Sequence, residues 1–348
     1  MSSTDTTYPR LRCPTPNHTR YEYLSKIHAK SKQPRYFFAV DLYQCVSLLP
    51  RLLGSIVETI RFLGPESCAL SIVEGRSTDG TLEVLESLRR PIEGLGGQYF
   101  LTTSDTNPVA EGVDRVQALA ELRNQALRPL TEHPQRYGTD TTVLFINDVA
   151  LCMEDILELI HQKAHQQADM TCAMDWINDG SIFYDVWVSR GINGDLFFEI
   201  PQSASWDFSK NLFWNDPNTK ARFQAKLPFQ VFSCWNGATA ITAEPLIEGK
   251  IKFRRAGEEE CYLGEPTLFC KDLWQLGHNK IAVVPSVNVG YSDDESRKAK
   301  DKQGTVAEWI ANEEERGDEV LIDWKSSPPG QIKCVPTWER PTWVAWNE

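Results

Sequence analysis

The sequence lacks the features of several broad classes of protein. No run approaches the ~20 apolar residues that a transmembrane helix needs, and the polar N-terminal stretch does not resemble a signal peptide. The formal net charge of −12 has the wrong sign for a partner that is nucleic acid or an anionic membrane. We therefore expect no transmembrane segment in this chain, no nucleic-acid partner and a cytoplasmic location. The alternative location is the Golgi lumen, if an upstream anchor is missing from this chain.

Cysteine and histidine chemistry is also sparse. The nine cysteines include no CxxC pair and no zinc spacing, and most lie in apolar surroundings, as Cys68 and Cys172 do. We therefore expect buried, reduced thiols. No Ser-His-Asp or Cys-His arrangement is suggested by spacing. His161 and His165 lie four residues apart, but they lack the glutamate of the zincin pattern and are more typical of a solvated helix face.

Short apolar strands alternate with amphipathic helices through the first half of the chain. Strands are predicted at 36–40, 69–73, 98–101 and 142–146, and helices follow them at 47–63, from 81, at 113–127 and after 153. This order predicts βαβ units and an α/β fold in which helices flank a mainly parallel central sheet.

Beyond residue 165 the pattern becomes less regular. A strand is predicted at 169–176, a helix at 264–276 and a strand at 281–284 that Pro285 ends. We divide the chain into an N-terminal arm (1–34), a main domain (35–292) and a C-terminal tail that wraps the domain (293–348). The main domain has a regular half (35–165) and a less regular half (166–292).

A polar pair, Asn147 and Asp148, follows the predicted strand at 142–146. Ligands of open α/β sheets bind at the carboxyl ends of strands, so a carboxylate here lies where chemistry is usually performed. The alternative is that Asp148 only caps the next helix.

Several uncommon motifs occur in one order along the chain. A predicted strand ends at Glu74 and is followed by Gly-Arg-Ser-Thr-Asp-Gly-Thr, which looks like the nucleotide-sugar signature of GT-A glycosyltransferases. The further motifs are Arg123-Asn124, Phe145-Ile146-Asn147-Asp148-Val149, Ser233-Cys234-Trp235-Asn236-Gly237, Phe269-Cys270-Lys271-Asp272-Leu273-Trp274 and Pro285-Ser286-Val287. Together they resemble the fungal capsule-associated α-1,3-mannosyltransferase family (glycosyltransferase family 69), from about Tyr36 to Tyr291.

The resemblance implies a GT-A fold, which is Rossmann-like and binds a nucleotide sugar in its regular half and an acceptor in the other. It implies a metal-binding, retaining mannosyltransferase that moves mannose from GDP-mannose to an acceptor hydroxyl with Mn²⁺ or Mg²⁺ as cofactor. The acceptor would be a glycan or, since no anchor is seen, a small-molecule metabolite. A UDP-sugar donor is the first alternative.

The resemblance also suggests roles for particular residues. The usual Asp-X-Asp metal motif reads Asn-Asp-Val here, so Asp148 and Asn147 become the metal or diphosphate contacts, with His278 as a further candidate ligand. Arg123 would stabilise the leaving phosphate or sugar as a charged donor, or pair with a neighbouring carboxylate such as Glu121. The remaining donor-binding candidates are Glu74, Arg76, Ser77 and Asp79. Because the metal motif is altered, a catalytically degenerate nucleotide- or carbohydrate-binding module is the second alternative.

The acceptor side contains its own candidates. Glu265, at the start of a predicted helix, could orient the acceptor hydroxyl or simply complement the helix dipole. The sugar-binding candidates are Trp235, Asn236, Gly237, Asp175 and Trp176, although a tryptophan is as often a core residue. Asp185 could also line the pocket or form a structural pair with Arg190.

Overall fold

The structure, a computed structural model, describes residues 11–26, 33–201, 203–316 and 321–348, without the side chains of 312–316. Its helices are α1 (His18–Lys26), α2 (Leu49–Leu63), α3 (Thr81–Gly94), α4 (Arg115–Thr131), α5 (Met153–His165), α6 (Pro217–Gln224), α7 (Glu244–Ile247), α8 (Glu265–Gln275), α9 (Asp293–Gln303) and α10 (Val306–Arg316). Its strands are β1 (Tyr36–Leu42), β2 (Cys68–Glu74), β3 (Gln98–Thr103), β4 (Thr142–Ile146), β5 (Met170–Ile177), β6 (Ile182–Phe183), β7 (Arg190–Gly191), β8 (Phe229–Ser233), β9 (Ala238–Thr242), β10 (Ile281–Val289), β11 (Gln331–Cys334) and β12 (Thr342–Ala345).

The central sheet has the order β3-β2-β1-β4-β9-β5-β10-β8-β7, with β6 paired to β5. Strands β1 to β4 are mutually parallel, and β5 pairs in parallel with β10. The predicted α/β fold with a mainly parallel sheet is therefore confirmed, including each of the four alternating strand–helix units of the first half. The parallel arrangement brings the carboxyl ends of β1, β2, β3 and β4 to one edge of the sheet.

Strand β9 enters between β4 and β5 in the opposite direction to both. The turn that starts it uses two left-handed residues, Asn236 and Gly237, with φ values of 58° and 81°. A Cβ atom on Gly237 would approach Val149 to 3.0 Å and Val289 to 3.1 Å, so a side chain here would meet the core. The turn therefore lies at the carboxyl edge, where the Asn147 amide donates to the Gly237 carbonyl.

The prediction that the strand from Ile281 ends at Pro285 is wrong. Strand β10 continues to Val289, and its register with β5 shifts between Val283 and Asn288. A proline lacks the N–H needed for regular pairing but is tolerated at such an irregularity. The extended strand brings the residues after Val289 to the same edge as the end of β4.

Two hydrophobic clusters cover the faces of the sheet. Strand β1 contributes alternate side chains to them, with Phe37 in one cluster and Phe38 in the other. Helices α4 and α8 pack on the first face, and α2 and α5 on the second. Burial on both faces explains why β1 and β4 read as continuous apolar runs. None of the described helices combines the length and apolar character needed to cross a bilayer.

The expectation of reduced cysteines is wrong for six of the nine. Disulfides join Cys13 to Cys152, Cys172 to Cys234 and Cys261 to Cys334, whereas the remaining three cysteines are free and buried. The paired residues are separated by 62 to 139 positions, so only the tertiary structure brings them together. Apolar flanking residues indicated burial correctly but could not indicate pairing.

The C-terminal hairpin of β11 and β12 lies against the less regular half of the domain. The Lys333 amide donates to the Gly194 carbonyl, and Arg190 donates through Nε to the Lys333 carbonyl at 2.7 Å. The disulfide to Cys261 fixes the end of β11. The predicted Asp185–Arg190 pair is not formed, because the described contacts of Arg190 are to main-chain carbonyls.

Candidate active site

A cavity of about 1040 Å³ opens at the carboxyl edge of β1 and β4. Its walls come from the loops after the parallel strands, from the less regular half and from the segment that follows β11. The lining residues used below are Asp41, Tyr43, Arg76, Arg123, Asn147, Asp148, Asp185, Trp187, Trp206, Trp235, Glu265, Tyr291, Trp338 and Glu339. A cleft at the carboxyl ends of parallel strands is the usual ligand site of an α/β sheet.

Two carboxylates, Asp41 and Asp148, face this cavity from neighbouring strands. Desolvation in the cavity and the negative charge of Asp41 together raise the pKa of Asp148 to about 6. Among the described residues, no other residue donates a hydrogen bond to the Asp148 carboxylate. The candidate catalytic Asp148 thus lies beside a second negative charge, and its carboxylate can accept further hydrogen bonds.

Arg123 reaches the cavity from α4 and joins the two halves of the site. It donates from Nε to Glu265 Oε1 at 2.8 Å and from Nη1 to Asn147 Oδ1 at 3.2 Å. Its guanidinium also lies 4.5 Å from the centre of the Trp235 ring. Burial lowers the pKa of Arg123, but the charges of Asp41 and Glu265 outweigh it and raise the pKa overall. The structure therefore brings Arg123, Glu265, Asn147 and Trp235 together.

The Asn147 side chain is already engaged within the protein. Its Oδ1 atom accepts hydrogen bonds from both Arg123 and the indole Nε1 of Trp235, the latter at 2.9 Å. An amide oxygen with two donors has little capacity left for a metal ion. Asn147 instead holds the arginine and the tryptophan in register with the end of β4.

Glu74, the last residue of β2, stabilises the loop that follows the strand. Glu74 is fully buried and accepts hydrogen bonds from the amides of Arg76 and Ser77, at 2.9 and 2.7 Å. Ser77 and Asp79 accept hydrogen bonds from amides of the loop after β1. Of these four predicted donor-binding residues, Arg76 lines the cavity, where it forms an ion pair with Asp105.

The Trp-Asn-Gly motif at 235–237 is divided between the cavity wall and the core. Trp235 lines the cavity although its side chain is almost wholly buried. Asn236 is buried, accepts a hydrogen bond from Ser189 Oγ and donates one to the Ala173 carbonyl, both at 2.8 Å. The structure therefore does not present Asn236 to a sugar, and Gly237 serves the turn into β9.

The pair Asp175 and Trp176 also lies behind the cavity wall. Trp176 is buried and donates from Nε1 to Asn288 at 2.7 Å, as a core residue does. Asp175 accepts a hydrogen bond from the Tyr291 hydroxyl at 2.7 Å, and burial raises the pKa of this carboxyl well above its usual range. Tyr291 lines the cavity here, and Asp175 lies behind it as its hydrogen-bond acceptor.

His278 lies at the other edge of the sheet. It precedes the first residue of β10 and pairs through Nδ1 with Asp169 at 3.0 Å, just before β5 begins. Because β5 and β10 are parallel, these starts are a full strand length from the carboxyl edge. The structure therefore excludes His278 from the site that contains Asp148.

Asp41, Tyr43 and Tyr291 line the cavity but were not assigned a role from the sequence, whereas Asp185 was a candidate pocket residue. Asp41 follows an apolar strand as Asp148 does, so its position was a usable signal. Asp185, by contrast, lies in an irregular segment; it accepts a hydrogen bond from the Asn236 amide at 2.7 Å, and burial raises its pKa to about 6. No periodicity could have indicated that contact.

The cavity residues fit a divalent cation only if the substrate supplies the remaining ligands. Within the described ranges, no group of three or more His, Cys, Asp or Glu side chains forms a ready-made metal site. Asp41 and Asp148 nevertheless supply the hard oxygen atoms that Mg²⁺ and Mn²⁺ prefer. Mg²⁺ in particular is commonly bound by one or two carboxylates together with substrate phosphates.

Comparison of the sequence with known proteins identifies its relatives. A sequence model described as Cryptococcal mannosyltransferase 1 matches residues 35–272. The α-1,3-mannosyltransferase CMT1 of Cryptococcus neoformans var. neoformans serotype D is 35% identical over 340 residues, which cover 90% of this chain and 73% of that protein.

Solved structures show more distant likeness. The mannosyltransferase PcManGT of Pyrobaculum calidifontis, in complex with GDP-Man and Mn²⁺, aligns with a TM-score of 0.43 and 14% identity, over 78% of this chain and 63% of that chain. S. aureus TarS 1-349 aligns with a TM-score of 0.42 and 16% identity, over 74% of this chain and 60% of that chain. The family match and the extent of identity to CMT1 show that this chain belongs to the Cryptococcal mannosyltransferase 1 family.

Proposed function

We propose that the protein transfers mannose from GDP-mannose to an acceptor hydroxyl, with retention of the α configuration and with the help of a divalent metal ion. The observation that carries this proposal is the pair Asp41 and Asp148 beside Arg123 at the carboxyl edge of the sheet. Two carboxylates and one guanidinium match the needs of a diphosphate leaving group that binds with a cation. The 35% identical α-1,3-mannosyltransferase supports the sugar and the linkage.

Asp148 and Asp41 would hold Mn²⁺ or Mg²⁺ together with the diphosphate. When bound, such an ion supplies positive charge that offsets the charge developing on the leaving diphosphate. The negative potential that raises the pKa of Asp148 would then be neutralised.

Two further residues are placed to bind the nucleotide. Tyr43 follows β1, lines the cavity and leaves 56% of its surface exposed. Its ring packs against Gly75, where an added Cβ would come within 3.1 Å of Cδ2. The exposed ring can stack on the base, and Arg76 lies beside it as a cation for the phosphates.

The acceptor-side carboxylates differ in their freedom to act. Glu265 is buried and bound to Arg123, so it positions that guanidinium. Asp185 is only partly buried, and its Oδ2 is oriented by the Asn236 amide. We therefore assign Asp185 to the acceptor hydroxyl, whose proton it can accept as the new glycosidic bond forms.

The disulfides bear on the cellular compartment in which the protein folds. Disulfides persist in oxidising compartments and are rare in the cytosol, so the three pairs favour the Golgi lumen over the cytoplasm. Alkylation of the purified protein, unfolded without reductant, should label only Cys45, Cys68 and Cys270. Labelling of all nine cysteines in protein from the native host would support the cytoplasm instead.

A thermal-shift panel tests the donor and the metal. GDP, UDP, ADP and GDP-mannose are each added with Mn²⁺ or with EDTA. A ligand at ~100 times its Kd stabilises the folded state by about 2.7 kcal/mol, which is readily measured. A shift with GDP and Mn²⁺ that EDTA removes supports the proposal. A shift with UDP alone points to a UDP-sugar donor, and no shift with any nucleotide points to a degenerate binding module.

A further inference from the structure

Indole side chains form part of the wall of the cavity that also contains Asp41 and Asp148. Trp187, Trp206 and Trp338 all line the cavity, and each remains partly exposed. The rings of Trp206 and Trp338 touch edge to face, with centroids 5.8 Å apart and an angle of 75° between their planes. Edge-to-face contact leaves the face of one ring unstacked by the other.

Trp338 is held in this wall by the C-terminal segment. It comes four residues after Cys334, which is joined by a disulfide to Cys261 just before α8. Between them, the Val335 carbonyl accepts a hydrogen bond from Trp187 Nε1 at 2.9 Å. Trp206 is supported from the other side by Phe198, at 5.4 Å between ring centroids. The two indoles therefore belong to a fixed surface.

Carboxylates accompany the indoles. Asp185 and Glu339 line the same cavity, as does Tyr291, whose hydroxyl donates a hydrogen bond to Asp175. An apolar ring face beside carboxylate oxygens suits a ligand with C–H groups on one face and several hydroxyls on its edge. A pyranose has both features, whereas a flat aromatic metabolite would leave the carboxylates without donors.

We propose that Trp206 and Trp338 form an acceptor subsite that binds a pyranose ring of a glycan acceptor. The inference rests on the proposed function because it names the acceptor of that reaction. It adds a binding element from residues 336–339, which lie beyond the region 35–272 matched by the family. The acceptor would thus be recognised in part by a segment outside the region that the family model matches.

The tryptophans of the hairpin provide a matched control. Trp343, on β12, is 43% exposed and lies outside the cavity, 4.8 Å from the Lys333 ammonium. It shares the hairpin and the residue type with the subsite but not the location. Trp343→Ala should therefore report any general effect of losing an exposed indole from this segment.

Kinetics with α-1,3-mannobiose as the acceptor test the subsite. Trp338→Ala and Trp206→Ala should each raise the KM for mannobiose about tenfold relative to the KM for GDP-mannose. Trp338→Phe should recover most of the loss, and Trp343→Ala should behave as the unaltered protein. An acceptor KM that is unchanged in both alanine variants, or that rises equally in Trp343→Ala, would overturn the assignment.

Saturation-transfer NMR with the same mannobiose separates the subsite from the proposed reaction. The unaltered protein should transfer saturation to the sugar protons without any nucleotide, and Trp338→Ala should lose that transfer. Such a result supports the subsite even if GDP-mannose proves not to be the donor. Absence of transfer in the unaltered protein, or transfer only to a planar aromatic probe such as indole, would count against a pyranose site.

Discussion

Arg123 and Glu265 form a buried ion pair that connects helix α4 to the first residue of α8. Nε and Oε1 lie 2.8 Å apart, and the two side chains are only 7% and 3% exposed. Both residues were predicted to be catalytic from separate motifs. Their contact shows that each one positions the other, because a buried charge without its partner is strongly disfavoured.

Glu265→Gln should destabilise the protein by about 3–5 kcal/mol, because the buried guanidinium of Arg123 would lose the counter-charge to which it is hydrogen-bonded. Urea unfolding followed by circular dichroism measures the change. The control is Glu132→Gln, which breaks the exposed Arg128–Glu132 pair at the C-terminal end of α4, where the side chains are 57% and 53% exposed. That control should cost less than about 1 kcal/mol. Equal losses in the two variants would contradict the structural role of the buried pair.

Asp148→Asn should lower kcat by about 10²–10³-fold, the scale seen when one preorganised electrostatic group is removed. The fold should remain, because no described side chain depends on this carboxylate. Asp140→Asn is the matched control: it lies before the same strand, at the opposite edge of the sheet, and its side chain is 72% exposed. Full activity of Asp148→Asn would remove Asp148 from the mechanism.

Tyr43→Ala should weaken GDP binding by about 1 kcal/mol, roughly a fivefold rise in Kd, because an exposed aromatic ring beside Gly75 would be lost. Tyr43→Phe keeps the ring and should bind GDP as the unaltered protein does. Isothermal titration calorimetry in the presence of Mn²⁺ measures both constants. A similar loss in the phenylalanine variant would assign the effect to the hydroxyl and not to stacking.

Glu260 should make the folded state sensitive to acid. Burial raises its pKa, but hydrogen bonds from Arg254 and Lys271 outweigh this effect and lower the pKa to about 2 from 4.5. Since the folded-state pKa is depressed, the stabilisation is complete above about pH 4.5 and is lost as the pH falls towards about 2.

Urea midpoints at several pH values across this window measure the effect. Glu260→Gln should flatten the decline, and Glu83→Gln, at an exposed position on α3, should leave it unchanged. An unchanged slope in Glu260→Gln would assign the acid sensitivity to other carboxylates. The neighbouring Asp272 also pairs with Arg254 and should be tested next.

The parallel half of the fold was predictable because β1, β2 and β4 are buried on both faces and helices such as α2 bury one face. Apolar runs such as 142–146 and helical spacing between Leu49 and Leu63 record that burial directly. The carboxylate after β4 could be placed in the site for the same reason. Asp41 lies at the carboxyl end of β1, and the same argument applied consistently would have found it.

The acceptor side was not predictable by the same means. The chain reverses direction at Asn236, before β9. The side-chain amide of Asn236 is hydrogen-bonded to Ser189 and to the Ala173 carbonyl, and no local sequence pattern reveals those partners. Pairing of Cys172 with Cys234 likewise depends on β5 and the end of β8, which only the folded sheet brings near each other. A resemblance to a family located the motifs, but tertiary contacts decided which residues face the cavity.

The disulfide between Cys261 and Cys334 has a consequence for how acceptor preference can diverge. Residues 36–148 supply the carboxylates of the donor side as one contiguous stretch, whereas Trp338 reaches the cavity on a short peptide hinged at that crosslink. Relatives could therefore exchange this peptide without disturbing the donor chemistry. A chimaera that receives residues 331–348 from another family member is expected to keep its donor and to change the glycan that it elongates.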